Sequence, residues 1–333
     1  MLTRRQALKL GATCKALRAR VDPAVARGVC RTRLLVVCSG DNYLREYDLA
    51  TGASVNGQTL QRPMVKHVGT EIMRHPRRGS RQQCWPTCIA ISPYDGDIYV
   101  CQYKIAGVIV LHGETLKPLR VMATDSIETP EGIAFSHNCT YVASAANMSV
   151  FRLGSRLGGE PFVPWGMVTG PDDNLYVAVD RSYEARAPSY VHMPPPPDTG
   201  MVLRILLRED GTFDEPEALG DFCYGKSLRR PSGLCFDAAG NLLVTSGNDE
   251  VLRFAGPWSA HPGRFMAVLT ATAPHPFDVV QHRGLVIVSS HACVQGTNDG
   301  NKPRLTVYDG ESGTLLRQLK MMPRCEANMM AVE

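Results

Sequence analysis

The chain has 333 residues, of which 44% are hydrophobic, so it can bury the core of one large all-β domain or of two ordinary domains. Its 30 glycines and 23 prolines suit many short strands joined by turns and argue against a mainly helical protein. The formal net charge of +4 is compatible with anionic partners but too small to indicate a nucleic-acid-binding protein. No apolar run approaches the ~18 residues of a membrane-spanning helix, so we expect no membrane association.

Residues 1–30 form a basic N-terminal extension, for which the sequence predicts a targeting segment or disorder. The opening MLTRRQALKLGA is like the start of a twin-arginine export signal, but the stretch from Thr13 onward is polar and basic rather than apolar. The lack of acidic residues before Asp22 fits an amphipathic organelle transit peptide better. An unstructured basic N-terminus is the alternative.

The chain contains 11 cysteines, an odd number, so at least one has no partner within a monomer. Cys88, Cys101 and Cys235 lie within strand-like runs, where a free cysteine behaves as a small buried hydrophobic residue. This usage predicts free thiols and a reducing compartment, cytoplasmic or organellar, in preference to a secreted, disulfide-bonded protein.

Short apolar runs separated by turns recur from residue 34 to the C-terminus. Within 231–256, residues alternate with period two around Leu252 and Phe254, which indicates strands rather than helix. Gly240 and Gly247 lie between these runs and tolerate the positive φ that tight turns often require. In chain order the units begin with LLVVC (34–38), PTCIAIS (86–92), PEGIAFS (130–136), PWGMVT (164–169), PSGLCF (231–236) and PFDVVQ (276–281).

The spacing of these units predicts a β-propeller. The anchor prolines at 86, 130, 164, 231 and 276 recur every ~34–48 residues once an insertion at 181–199 is removed, which is the period of a four-stranded blade. The insertion holds four consecutive prolines, which favour extended backbone, so we expect a surface loop there.

The two ends of the chain complement each other. The stretch ANMMAV (327–332) aligns with PSGLCF as a first strand that lacks its own unit, whereas the unit at 34 lacks a first strand. We therefore expect the C-terminal strand to join the N-terminal blade and remove an exposed edge. The predicted fold is all-β: a closed six-bladed β-propeller of four-stranded antiparallel blades over 31–333.

The pattern Pro-x-Gly-apolar-x-apolar, turn, Gly-Asn-Leu-x-Val, turn, Val-x-Arg-apolar resembles the NHL-repeat propellers. Related propellers are of the streptogramin-lyase-like and gluconolactonase-like (SMP-30) kinds. The segments that carry the resemblance best are 231–254 and 164–180, and the whole resemblance covers about 31–333. It implies the fold more specifically than any activity, since one fold serves many functions.

The resemblance implies that functional groups gather on one face, around a central channel, on the residue after each anchor proline and on the loops between second and third strands. The predicted binding face consists of Thr87, Glu131, Trp165, Ser232, Asp249, Phe277 and Asn328. Gluconolactonase-like propellers hold a divalent metal there with a Glu, an Asn and an Asp. Only Glu131 and Asn328 match that set, so we expect no metal or other cofactor.

Three functions remain open. The leading hypothesis is a monomeric, non-enzymatic binding module that takes a protein or a small ligand on one face. The rival is a small-molecule lyase or lactone hydrolase that uses Glu131, Asp180 and His291 near the channel mouth, with the histidine as general base. The plain structural interpretation is that Asp180 and Asp249 cap tight turns.

A basic connection offers the third function. Arg74, Arg77, Arg78 and Arg81 would attract RNA or phosphate without reading sequence, and a solvated loop is the alternative. Nearby, Cys84 and Cys88 lack the further ligands that a zinc site needs, so they are expected to be loop and core cysteines.

Overall fold

A computed structural model describes residues 33–38, 43–49, 54–59, 86–102, 107–123, 127–153, 155–156, 163–180, 200–213, 219–273, 275–290, 304–319 and 327–332. The N-terminal extension and the proline-rich insertion lie outside these residues. The regular structure found within them is β-strand, and they contain no helix of the length and apolarity needed to cross a membrane.

The described strands form six antiparallel sheets of four strands each. The first twelve strands are β1 (Arg33–Cys38), β2 (Tyr43–Asp48), β3 (Ser54–Thr59), β4 (Pro86–Ile91), β5 (Ile98–Gln102), β6 (Gly107–Leu111), β7 (Pro118–Ala123), β8 (Pro130–Ser136), β9 (Cys139–Ser144), β10 (Ser149–Arg152), β11 (Ser155–Arg156) and β12 (Pro164–Thr169). The next twelve are β13 (Leu175–Asp180), β14 (Gly200–Ile205), β15 (Leu219–Asp221), β16 (Leu234–Phe236), β17 (Leu242–Ser246), β18 (Glu250–Phe254), β19 (Phe265–Thr270), β20 (Pro276–His282), β21 (Leu285–Ser290), β22 (Arg304–Asp309), β23 (Leu315–Leu319) and β24 (Ala327–Val332).

Five sheets are built from consecutive strands, and one combines the two ends of the chain. The consecutive sets are β4–β7, β8–β11, β12–β15, β16–β19 and β20–β23. In the remaining sheet β24 pairs with β1, with Leu34 opposite Val332 and Val36 opposite Met330. The sequence predicted this pairing from the incomplete first unit.

The first strand of each unit lies beside the first strand of the next. We call β4, β8, β12, β16, β20 and β24 the inner strands. Each of them contacts the next in chain order, and β24 contacts both β20 and β4. This arrangement brings the residues around the anchor prolines of different sheets close to one another.

The core lies between the faces of neighbouring sheets. Strands β5 and β6 are buried along their whole length, because other sheets cover both of their faces. The ring of Tyr99 on β5 meets that of Phe135 on β8 edge to face, with centroids 5.0 Å apart. Tyr176 on β13 meets Phe236 on β16 at the same centroid distance.

The turns follow the residues that predicted them. Between β16 and β17, the Asp237 carboxylate accepts hydrogen bonds from the backbone N–H groups of Ala239 and Asn241, both at 2.9 Å. Gly240 adopts φ +80° in the same turn, which favours glycine. The aspartate also contacts Arg253 on β18 at 3.3 Å, so this turn is fixed to its own sheet.

The cysteines among the described residues divide into two groups. Cys88, Cys101, Cys139, Cys223 and Cys235 are free thiols. Cys38, at the end of β1, is disulfide-bonded, so the expectation of free thiols does not hold at this position.

Candidate functional site

Two residues of the predicted binding face join neighbouring sheets. The Thr87 hydroxyl, at the start of β4, donates to the carbonyl oxygen of Pro130 on β8. The Ser232 hydroxyl, just before β16, donates to the Phe277 carbonyl at 2.5 Å. Both side chains are buried, at 8% and 7% relative exposure. They stabilise the contact between inner strands and have little surface left for a partner.

Three inner strands approach their neighbours so closely that a glycine is required. A Cβ on Gly132 would lie 2.6 Å from the Trp165 carbonyl oxygen, and one on Gly166 would lie 2.0 Å from that of Ser232. A Cβ on Gly233 would lie 2.5 Å from the Cα of Asp278. The Pro-x-Gly pattern of these units therefore reflects backbone contact between sheets.

The sixth unit has an aspartate at the position of these glycines. Asp278 follows Pro276 by two residues, and its side chain extends to β24, where Oδ2 accepts a hydrogen bond from the Met330 N–H at 2.7 Å. The residue is only 5% exposed, and burial raises the pKa of its carboxyl to about 7. We did not predict this residue as functional. The sequence alone marks this residue, because an aspartate replaces the glycine of the repeated Pro-x-Gly pattern.

The second unit has a cysteine at the same position, and it belongs to a buried cluster. The Cys88 thiol donates to the Ile89 carbonyl at 3.9 Å. Cys101 on β5 hydrogen-bonds to Cys88, and both cysteines are buried. This hydrogen bond, followed by burial and by the nearby Cys88 and Glu131, raises the pKa of Cys101 well above its usual value. Glu131 is half-buried at the start of β8, and burial raises its pKa to about 8. Its carboxyl is therefore largely protonated at neutral pH.

Two further residues of the predicted binding face are aromatic. Trp165 and Phe277 are both half-buried at the starts of β12 and β20. Trp165 packs against the core between β13 and β17, and Phe277 packs against the core around β4 and β5. Glu131 has the equivalent position at the start of β8, and we call the three residues Glu131, Trp165 and Phe277 the aromatic–acid face.

Asp249 lies in the β17–β18 turn and contacts a different connection of the chain. Its Oδ1 accepts a hydrogen bond from the His275 N–H at 2.7 Å, which ties the β17–β18 turn to the connection before β20. The residue adopts φ +62°. The sequence offered capping of its own tight turn as the alternative role for Asp249, whereas the carboxylate binds the N–H group of a distant connection.

Several predicted site residues lie outside the described part of the chain. Asp180 and Asn328 belong to β13 and β24, but their side chains are outside it. His291 and the basic connection with Arg74, Arg77, Arg78 and Arg81 are outside it entirely. The catalytic trio and the basic patch therefore remain predictions.

No metal centre forms from the described residues. No three side chains among their His, Cys, Asp and Glu residues are arranged to hold an ion. Glu131 is the one described side chain of the metal set that the resemblance implies, and a single carboxylate does not meet a hard cation's need for several oxygen ligands.

A cavity of about 340 Å³ lies between the inner strands, and Glu131, Trp165 and Phe277 are not among its lining residues. Residues of all six inner strands line it, including Ile89, Phe135, Met167, Leu234, Val280 and Met330. Asp278 is the carboxyl-bearing residue of this lining. The structure thus offers two candidate sites, the aromatic–acid face and this central cavity.

No family model and no curated protein matches the chain. Solved structures do match. A chain in the crystal structure of a nidogen/laminin complex is 16% identical with a TM-score of 0.63, covering 90% of this chain and 98% of that one. A streptogramin B lyase is 11% identical with a TM-score of 0.54, and the match covers 90% of this chain and 91% of that one. A putative gluconolactonase is 16% identical with a TM-score of 0.53, covering 76% and 83%.

These similarities establish an all-β fold of the propeller type. At such low identities they carry no activity over to this chain. The three similar proteins differ in function, since one belongs to a protein–protein complex and the other two are named as enzymes. The function must therefore be argued from the residues of this chain.

Proposed function

We propose that the chain is a six-bladed, NHL-like β-propeller that binds a partner protein on its aromatic–acid face. Contacts between successive inner strands, together with those of β24 to β20 and β4, support a closed ring of six blades. The pairing of β24 with β1 supports completion of the N-terminal blade by the C-terminal strand.

The observation that carries this proposal is that the residues of the predicted face differ in how much of their side chain is available to a partner. The small polar residues, Thr87 and Ser232, are occupied by hydrogen bonds between sheets. The half-buried residues are two large aromatic side chains and one uncharged acid. Such a surface, aromatic and poor in charge, is typical of the centre of a protein–protein interface.

The comparison with known structures supports a protein partner as a workable use of this fold. The similar chain with a TM-score of 0.63 comes from a complex of nidogen with laminin. We expect a monomeric scaffold whose partner contributes apolar groups to Trp165 and Phe277. A hydrogen-bond acceptor facing the protonated Glu131 would complete the contact.

The test is quantitative partner capture with the full-length protein. The double variant Trp165→Ala, Phe277→Ala is compared with Trp258→Ala, which removes a 73% exposed tryptophan in the β18–β19 turn. The proposal expects a stoichiometric protein partner that the wild type and Trp258→Ala retain and the double variant loses. A thermal melt of each variant separates lost binding from lost folding. An identical set of captured proteins for all three would contradict the proposal.

One observation favours a lyase or lactone hydrolase as the second candidate. A carboxyl with a pKa of about 8, as burial gives Glu131, is protonated at neutral pH and suits a general acid. Turnover of lactone or cyclic-peptide substrates that is lost in Glu131→Gln, with the melting temperature retained, would favour this function. Turnover unaffected by that change would remove Glu131 from the reaction.

A further inference from the structure

The central cavity has the size of a small-molecule site. Its volume of about 340 Å³ falls within the range of natural ligand pockets, roughly 300–1,000 Å³. Its walls come from six different strands of six different sheets, so its shape is fixed by the core of the fold. Glu131, Trp165 and Phe277 are not among its lining residues.

The lining is apolar except at a few positions. Its side chains are mostly aliphatic, with one aromatic ring, Phe135. The hydroxyl of Thr169 is already used, because it donates to the Phe135 carbonyl at 2.7 Å. Lysine and arginine are not among the lining residues. Asp278 is therefore the polar group that decides which ligand the cavity accepts.

We propose that the central cavity binds a small apolar amine, whose ammonium group pairs with the Asp278 carboxylate while its hydrocarbon part contacts the aliphatic walls. This function goes beyond the proposed partner binding and uses different residues. The occupant is a molecule with one cationic group, because the lining offers one carboxylate and no second acid that a multivalent cation would require.

The electrostatics of Asp278 favour a cation over a neutral group. Burying a charged carboxylate costs free energy unless it is paired with an opposite charge. The raised pKa of Asp278 reflects this cost. The N–H groups of Met330 and Val279 donate to the carboxylate, but a carboxylate has about four acceptor sites, so it can still accept from a ligand. An ammonium group would supply both the opposite charge and the hydrogen bonds.

The test compares two probes of equal shape on the full-length protein. Isothermal titration at pH 8 measures the affinity of 2-phenylethylammonium and of the neutral 2-phenylethanol. We expect the amine to bind wild type at least tenfold more tightly than the alcohol. In Asp278→Asn the affinity for the amine should fall at least tenfold, whereas the affinity for the alcohol should change by less than threefold. The asparagine carbonyl still accepts from the Met330 N–H, so the fold is retained.

A second variant tests the location without altering the acid. Ala90 lines the cavity, and Ala90→Leu fills part of it. We expect this change to weaken both probes at least tenfold. The proposal is overturned if wild type binds neither probe, if it does not prefer the amine, or if Asp278→Asn leaves amine affinity unchanged. Unaltered binding of both probes to Ala90→Leu would also overturn it. Because the aromatic–acid face is untouched, partner capture tests the proposed function separately.

Discussion

The inner strands fall into two halves, which differ in how closely neighbouring strands approach one another. From β8 through β12 and β16 to β20, a glycine two residues after each anchor proline allows backbone-to-backbone contact. From β20 through β24 and β4 to β8, the equivalent positions of Asp278 and Cys88 carry side chains instead. Among the described residues, the two carboxyls with strongly raised pKa values are Asp278, at one of these positions, and Glu131, on β8 at the end of this half. Asp278 therefore shows that a departure from the repeat can introduce a buried titratable group while the fold is kept.

In the first half, from β8 to β20, the position two residues after the anchor proline should tolerate substitution less well than in the second half. A side chain at Gly166 would collide with the backbone of Ser232, which cannot move as a flexible side chain could. We expect Gly166→Val to lower the free energy of unfolding by about 3 kcal/mol or more, measured by urea denaturation. Cys88→Val is the matched control at the equivalent position, where a side chain is already accommodated. Equal losses of unfolding free energy in the two variants would show that the two halves do not differ in this respect.

In the other half, Asp278 should stabilise the contact between β20 and β24. Asp278→Ala leaves the buried Met330 N–H without its acceptor, and we expect a loss of about 2 kcal/mol at pH 5.5. Asp278→Asn keeps an acceptor and should lose less than half of that. If both variants are as stable as the wild type, the hydrogen bond to Met330 does not contribute to stability.

The same half should make stability depend on pH. Burial raises the pKa of Glu131 from 4.5 to about 8 and that of Asp278 from 3.8 to about 7. Between these values the folded chain binds more protons than the unfolded chain, so the free energy of unfolding falls as pH rises from about 4 to about 8. We expect this fall to be on the order of 2 kcal/mol.

The control for this pH dependence is the double variant Glu131→Gln, Asp278→Asn, measured by urea denaturation at pH 5, 6, 7 and 8. Removing both carboxyls should flatten the profile relative to wild type. A profile of unchanged slope in the double variant would assign the pH dependence to other groups.

The smallest effect concerns thiol reactivity and leaves stability unchanged. Burial contributes to the raised pKa of Cys101, so little thiolate exists there at neutral pH. Cys139 is partly exposed at the start of β9. We expect iodoacetamide to label Cys139 at least tenfold faster than Cys101 in the native protein, as followed by peptide mass spectrometry. Comparable rates would show that the Cys88–Cys101 cluster is more open than its packing indicates.

The strands and their pairing could be predicted because they follow local rules. Period-two alternation, turn glycines and anchor prolines place the first runs of most units within a residue or two, as in the predicted 130–136 and the observed Pro130–Ser136. The third unit's last strand, Ser155–Arg156, was poorly marked because only two residues pair. Strand β16 is shorter than predicted and leaves Ser232 outside it.

The candidate site was harder to predict because its contacts join distant residues. Thr87 and Pro130 meet across two sheets, and no local pattern shows that this hydroxyl is already occupied. The same holds for Ser232 and Phe277. Asp278 is different, since its position in the repeat marks it in the sequence alone. Ranking candidates by deviation from the repeat would have found it.

The pairing of β1 with β24 sets an order of events during synthesis. A ribosome releases Arg33–Cys38 early, but the partner Ala327–Val332 emerges only after the intervening sheets have been made. Until then one edge of β1 is an open template for pairing with other chains. Joining such sequence-distant strands is intrinsically slow, so this sheet should form after the five sheets that lie between its strands in the chain. Chaperone dependence is accordingly expected to last until Ala327–Val332 has emerged and paired with β1.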